Sequence, residues 1–231
     1  KTPYSISSNF VRACCEDNLG NIWIGTFNGL NRYDKSTGLF QNHTASDAQS
    51  DGLTHSSIWC IVKDNQGTLW LGTYFGGVNY FNPEYEIYSR YMYSPIEKKG
   101  LSNPVVGRTI EDKDGNLWIG TEGGGLNYYN RRTREFKWFR PEIGPNSISH
   151  NNIKALYYDA SKDIIWIGTH LGGLNRLDIR SGQFTHYRME AGNPETLPSD
   201  IIRDIAPYQD HLVIATQNGI CLFDPANGKC Q

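Results

Sequence analysis

Several stretches of this 231-residue chain hold side chains that could do chemistry. Asp112-Lys-Asp-Gly-Asn116 sets oxygen ligands at alternate positions, as a calcium loop does. Such a loop needs an acidic ligand at its twelfth position, which here is Gly123, so a hairpin turn is expected. Cys14 and Cys15 are adjacent, and adjacent strand residues face opposite sides, which argues for packing rather than a redox pair. Cys221 and Cys230 could lie diagonally on one face of the last hairpin, where a disulfide is conceivable. The six histidines show no metal-ligand spacing, and His55 and His150 are expected to be solvated on connectors. No Ser/His/Asp set, phosphate loop or carboxylate pair on one element can be assembled, so no catalytic residue, metal or cofactor is assigned. What remains is a set of variable pairs: Phe27-Asn28, Tyr74-Phe75, Glu122-Gly123, His170-Leu171 and Gln217-Asn218. Exposed aromatics such as Tyr74 and Phe75 could stack on sugar rings, with Asn28, Glu122, His170 and Gln217 as polar partners; the competing reading is ordinary turn diversity or packing.

The elements that must position these pairs repeat. Trp-Ile/Leu-Gly-Thr occurs at 23–26, 70–73, 118–121 and 166–169, and a fifth copy, Val-Ile-Ala-Thr, at 213–216, with steps of 47, 48, 48 and 47 residues. Upstream of each lies a β-branched residue that opens a strand: Val11, Ile58, Val106, Ile153 and Ile201. Turns beginning at Asp17, Asp64, Asp112 and Asp159 follow, the first three ending in glycine. A third strand begins at Gly29, Gly77, Gly125, Gly173 and Gly219, and a fourth carries Phe40, Tyr88, Phe136 and Phe184. Four short strands in about 47 residues match one blade of a β-propeller. Coils of a parallel β-solenoid are shorter, and helical repeats would not alternate apolar and polar residues strand by strand.

The repeated tetrapeptide has a packing logic. Trp and Gly two residues apart share one face of a strand, and neighbouring sheets lie about 10 Å apart. The expectation is that Gly25, Gly72, Gly120 and Gly168 leave space for Trp23, Trp70, Trp118 and Trp166 between blades, which makes these eight residues structural. The fold class is therefore all-β, a propeller of four-stranded antiparallel blades, with about five present as part of a larger array. Blades are expected at 8–44, 56–92, 103–140, 151–188 and 199–231, the last lacking its fourth strand. The variable pairs are the strand two to three turns, which propellers present at the mouth of a central channel.

Composition agrees and excludes other classes. Aliphatic and aromatic residues make up only 38%, yet 13% are aromatic and 24 residues are glycine, which suits short strands and tight turns better than helical bundles. With 22 basic against 24 acidic residues the net charge is −2, and the basic residues are scattered, so nucleic acid is not an expected partner. No apolar run is long enough to cross a bilayer as a helix, and no direct membrane insertion of this segment is expected.

Leu101-Ser-Asn-Pro-Val-Val, followed by Glu-Asp-Lys-Asp-Gly-Asn-Leu-Trp-Ile-Gly-Thr-Glu-Gly-Gly-Gly-Leu-Asn-Tyr-Tyr, resembles the two-component regulator propeller repeat, and five such copies span the chain. The fifth departs from it, lacking Trp and carrying Cys221 where Asn is usual. The resemblance implies a periplasmic sensor region of a hybrid histidine kinase from a glycan-degrading gut bacterium. In such a receptor two seven-bladed propellers precede an immunoglobulin-like domain, a membrane helix and the kinase. It also implies an oligosaccharide ligand, the remaining blades and domains of the receptor as partners, and a homodimer as one possible assembly. The segment itself would not be an enzyme. A propeller lyase or hydrolase, and a scaffold or dimerisation platform that binds no ligand, remain the alternatives.

Overall fold

A computed structural model describes residues 4–45, 52–85 and 88–231, and every helix or strand among them is a strand. Blade one is β1 (Val11–Glu16), β2 (Ile22–Thr26), β3 (Gly29–Asp34) and β4 (Leu39–His43); blade two is β5 (Ile58–Lys63), β6 (Leu69–Thr73), β7 (Val78–Phe81) and β8 (Ser89–Tyr91). Blade three is β9 (Val106–Glu111), β10 (Leu117–Thr121), β11 (Leu126–Asn130) and β12 (Glu135–Phe139). Blade four is β13 (Ile153–Asp159), β14 (Ile164–Thr169), β15 (Leu174–Asp178) and β16 (Phe184–Tyr187). Blade five is β17 (Ile202–Tyr208), β18 (His211–Thr216), β19 (Gly219–Asp224) and β20 (Lys229–Cys230). Each blade is one antiparallel sheet with its strands in chain order.

Blade five departs from the sequence expectation twice. It has a fourth strand: the Asp224 carbonyl accepts from Gly228 N at 2.8 Å, the chain reverses, and Cys230 pairs with Phe223. Two residues suffice because Cys230 N also donates to the Glu195 carbonyl at 2.7 Å, so a preceding connector covers the new edge. The opening residue is Ile202 rather than Ile201, since Ile202 pairs with Thr216 as Val11 pairs with Thr26. The first hairpin of this blade closes tightly, Tyr208 opposite His211, where blade one spends the five residues between Glu16 and Ile22, and the register shifts accordingly. Cys221 and Cys230 are both free, buried thiols, whereas Cys14 is exposed and Cys15 half-buried, so the packing role expected of that pair does not hold for Cys14.

Two compact units make up the chain: Lys1–Thr109 with Arg131–Phe136, and Ile110–Asn130 with Lys137–Gln231. In the first, Trp23 is fully buried with its ring edge-on to Phe81, centroids 5.0 Å apart, amid Leu30, Ile58 and Leu71. In the second, Trp166 meets Phe223 edge-on at 5.5 Å, and Trp118 is buried with Ile153 and Leu177. The glycine after each Trp is not a gap for that Trp, as sequence reasoning has it. A Cβ on Gly25 would lie 2.7 Å from Ile58 Cγ2, on Gly72 2.7 Å from Val106 Cγ1, on Gly120 2.6 Å from Ile153 Cγ2, and on Gly168 it would meet Ile202 Cγ2. The glycine admits the β-branched residue that opens the next blade, which is how the blades approach so closely.

The Asp of each first turn does two jobs in blades one to three. Its Oδ1 accepts backbone N–H groups within the turn, from Leu19 and Asn21 to Asp17, from Gln66 and Thr68 to Asp64, and from Asp114 and Asn116 to Asp112. Its Oδ2 accepts the indole N–H of the Trp six residues on: Trp23 at 2.7 Å, Trp70 at 2.6 Å and Trp118 at 3.1 Å. A buried indole thus keeps a partner for its one polar group. Burial works against the charge of Asp17, but the hydrogen bonds from Asn21, Trp23 and the backbone outweigh it and hold its carboxyl below the usual range.

Candidate functional site

The strand two to three turns are shaped from within by the last residue of the tetrapeptide. Thr26, Thr73, Thr121, Thr169 and Thr216 each donate Oγ1–H to the carbonyl of the glycine at, or one residue before, the start of strand three, at 2.8 to 3.0 Å. With the backbone tied there, the turn residues themselves are free to differ. Inside the same end of the blade, a buried Asn anchors the connector that precedes it. Asn31 accepts from Ser7 N at 2.7 Å, Asn79 from Thr54 N at 3.0 Å and Asn175 from Ser149 N at 2.8 Å.

Strand one contributes the other half of this surface. Its pairing with strand two shifts register between Val11 and Ala13, Ile58 and Cys60, Ile153 and Ala155, and Ile202 and Asp204. The residue inside each irregularity is Arg12, Trp59, Lys154 or Arg203, and a bulge re-aims such a side chain out of the regular alternation. None of the four stands out in the sequence. The available signal is their common place, one residue after the β-branched opener, where the repeat tolerates any side chain.

In the first unit the predicted pairs Phe27-Asn28 and Tyr74-Phe75 are exposed. Tyr74 stacks on Trp59 with centroids 5.1 Å apart and planes 14° from parallel, Phe75 stands edge-on to Tyr74 at 4.4 Å, and the His55 ring lies 6.3 Å from Tyr74 and 6.4 Å from Phe75. The Arg12 guanidinium lies over Trp59, its Cζ 4.7 Å from the ring centroid. Phe27 N donates to the Phe10 carbonyl at 3.0 Å, which places two more exposed phenylalanines together along the chain path. Partly exposed rings beside a cation are suited to stacking on a saccharide.

In the second unit the predicted residues are largely engaged. Lys154 Nζ lies 2.5 Å from Glu122 Oε1 and 2.7 Å from Oε2, and Arg203 donates to Gln217 Oε1 at 3.0 Å. His170 is half-buried, its ring 6.2 Å from that of His150. The histidines on the connectors are half-buried rather than fully solvated: His55 Nδ1 accepts from Ser57 N and His150 Nδ1 from Asn152 N, both at 3.0 Å, so each ring closes a turn of backbone. Burial, reinforced by His170, holds His150 below the usual imidazole value. Among the described residues no group of His, Cys, Asp and Glu could hold a metal ion, and no helix is long and apolar enough to cross a membrane.

Comparison with known proteins places this architecture. The extracellular domain assigned to the hybrid two component system BT3049 of B. thetaiotaomicron superimposes with a TM-score of 0.85 at 22% identity, over 99% of this chain and 30% of that one. The extracellular domain assigned to the one component system BT4673 of the same organism gives 0.77 at 25% identity, over 96% and 28%. Virginiamycin B lyase from Staphylococcus aureus shares the fold at 12% identity, with a TM-score of 0.71 over 100% and 71%. The chain spans about three-tenths of the length of the two B. thetaiotaomicron structures. No curated protein matches it. The family model for the two component regulator propeller matches residues 5–28, 52–75 and 100–123, each a connector with the first two strands of its blade, so these three segments are similar to two component regulator propeller repeats.

Proposed function

We propose that this chain is a ligand-recognition segment in the periplasmic sensor region of a hybrid two component histidine kinase, and that it binds a carbohydrate on its strand two to three turns. The remaining blades and domains of the receptor carry the event across the membrane to the kinase. The observation that carries the reading is the cluster of Trp59, Tyr74 and Phe75. Three aromatic rings are gathered on variable positions of a repeating scaffold whose invariant positions serve packing and turn formation. Support also comes from the regulator repeats and from the likeness to extracellular domains of two component systems.

The test is a calorimetric titration of the chain with a panel of plant and host oligosaccharides, repeated with Tyr74→Ala and Phe75→Ala. Loss of one stacking ring should weaken the best ligand about three- to tenfold, as a ring contact of about 1 kcal/mol implies, with unchanged thermal stability. A panel that binds nowhere, or turn variants that bind as wild type, would sink the proposal and leave the segment as scaffold.

A further inference from the structure

The turn face of the first unit carries a charge preference. Four stretches build it, 8–12, 27–28, 55–59 and 74–75, and none contains an Asp or Glu. Its one permanent charge is Arg12, which is exposed and, among the described residues, makes no hydrogen bond or ion pair. The equivalent cations of the second unit are occupied, Lys154 by Glu122 and Arg203 by Gln217. The Arg12 guanidinium carbon lies over the Trp59 ring, 4.7 Å from the centroid, and a guanidinium so placed has N–H groups with no partner among the described residues that could meet a carboxylate. The same indole also stacks on Tyr74, against which Phe75 stands edge-on, so Trp59 links the cation to two exposed apolar rings.

An uncompensated guanidinium next to partly exposed rings matches a molecule with an apolar ring face and a carboxylate at its edge. We propose that this face recognises an acidic oligosaccharide, with a uronate carboxylate held by Arg12 and the sugar ring against Tyr74 and Phe75. The assignment rests on the carbohydrate reading above and narrows it. Arg12 is a specificity residue here: it selects the charged sugar, while the rings bind any pyranose face of suitable shape.

The probes are oligogalacturonides and oligoglucuronides, each paired with its carboxyl-reduced neutral counterpart, titrated into the chain by calorimetry at 0.15 M salt. Wild type should bind at least one acid about tenfold or more tightly than its neutral partner, and the preference should shrink as salt is raised. Arg12→Gln should abolish the preference while the residual, ring-dependent binding of the neutral sugar survives and the melting temperature holds. Arg12→Lys should restore part of it, since charge remains and the planar fork is lost. Neutral sugars bound as tightly as the acids would overturn this inference and leave the carbohydrate reading intact, as would an acid preference that persists in Arg12→Gln. Failure of every acid and every neutral sugar would overturn both.

Discussion

Asn175 and Ser149 hold blade four to its connector twice over: the Asn side-chain oxygen accepts Ser149 N–H at 2.8 Å, and its Nδ2 donates to Ser149 Oγ at 2.7 Å. Blade five lacks both partners at once. Pro198 stands where Ser149 does and has no N–H, and Cys221 stands where Asn175 does and has no amide. The connector is instead fastened by Asn218 Nδ2 to the Pro198 carbonyl at 3.3 Å. Asn175→Ala is expected to cost about 1 to 3 kcal/mol by leaving a buried N–H without an acceptor. Cys221→Asn, which restores the repeat consensus, should also destabilise, because the buried amide would find no donor. Urea midpoints of the two variants check this; a stabilising Cys221→Asn would contradict it.

The Trp118 indole is both core volume and hydrogen-bond donor. Trp118→Ala should lose about 3 to 5 kcal/mol as a large-to-small core change. Asp112→Ala should lose less, about 1 to 3 kcal/mol, since it orphans the indole and two turn N–H groups while the packing stays. Combining the two should cost less than their sum if the residues act as one unit, and thermal denaturation of the double mutant measures that coupling.

Two groups make stability depend on pH. His150 titrates below its unfolded value of about 6.5, so as pH falls the unfolded chain takes up the proton first, and stability declines from about pH 6.5 down to the folded pKa. His150→Asn should flatten that limb. Asp17, also depressed, contributes stability that is present above about pH 4 and is lost as pH falls through its folded pKa. Denaturation midpoints from pH 3 to 8, taken as a range spanning both groups, separate the two limbs. A stability flat across both regions would refute the assignment.

Glu122 should matter less to ligand binding than Tyr74, because Lys154 already occupies both its oxygens. A double-mutant cycle of Glu122→Gln and Lys154→Met should give a coupling of at most about 1 kcal/mol, as the pair is partly exposed. Glycan affinity should stay within about twofold in Glu122→Gln, against the larger loss in Tyr74→Ala. A greater loss in Glu122→Gln would move the site to the second unit.

The sequence by itself determined the architecture. A period of 47 to 48 residues, a β-branched opener, an Asp turn and a Trp-Ile/Leu-Gly-Thr strand leave four strands per unit as the arrangement that satisfies both the alternation and the turns. It also separated repeating from variable positions, and so singled out Phe27, Asn28, Tyr74, Phe75, Glu122, His170 and Gln217 as candidates. Tertiary structure alone decided which of these are available. Whether Glu122 is free depends on Lys154, 32 residues away, and whether Tyr74 stands alone depends on the side chain that a bulge turns toward it. Neither partner lies within the tetrapeptide or its turn. The short fourth strand of blade five was invisible for the same kind of reason: two residues have no periodicity of their own, and their pairing comes from β19 on one side and the Glu195 connector on the other. Local pattern specifies elements because backbone sterics and alternation act within a few residues. Side-chain partnership across blades depends on where distant segments are brought together, and no local pattern encodes it.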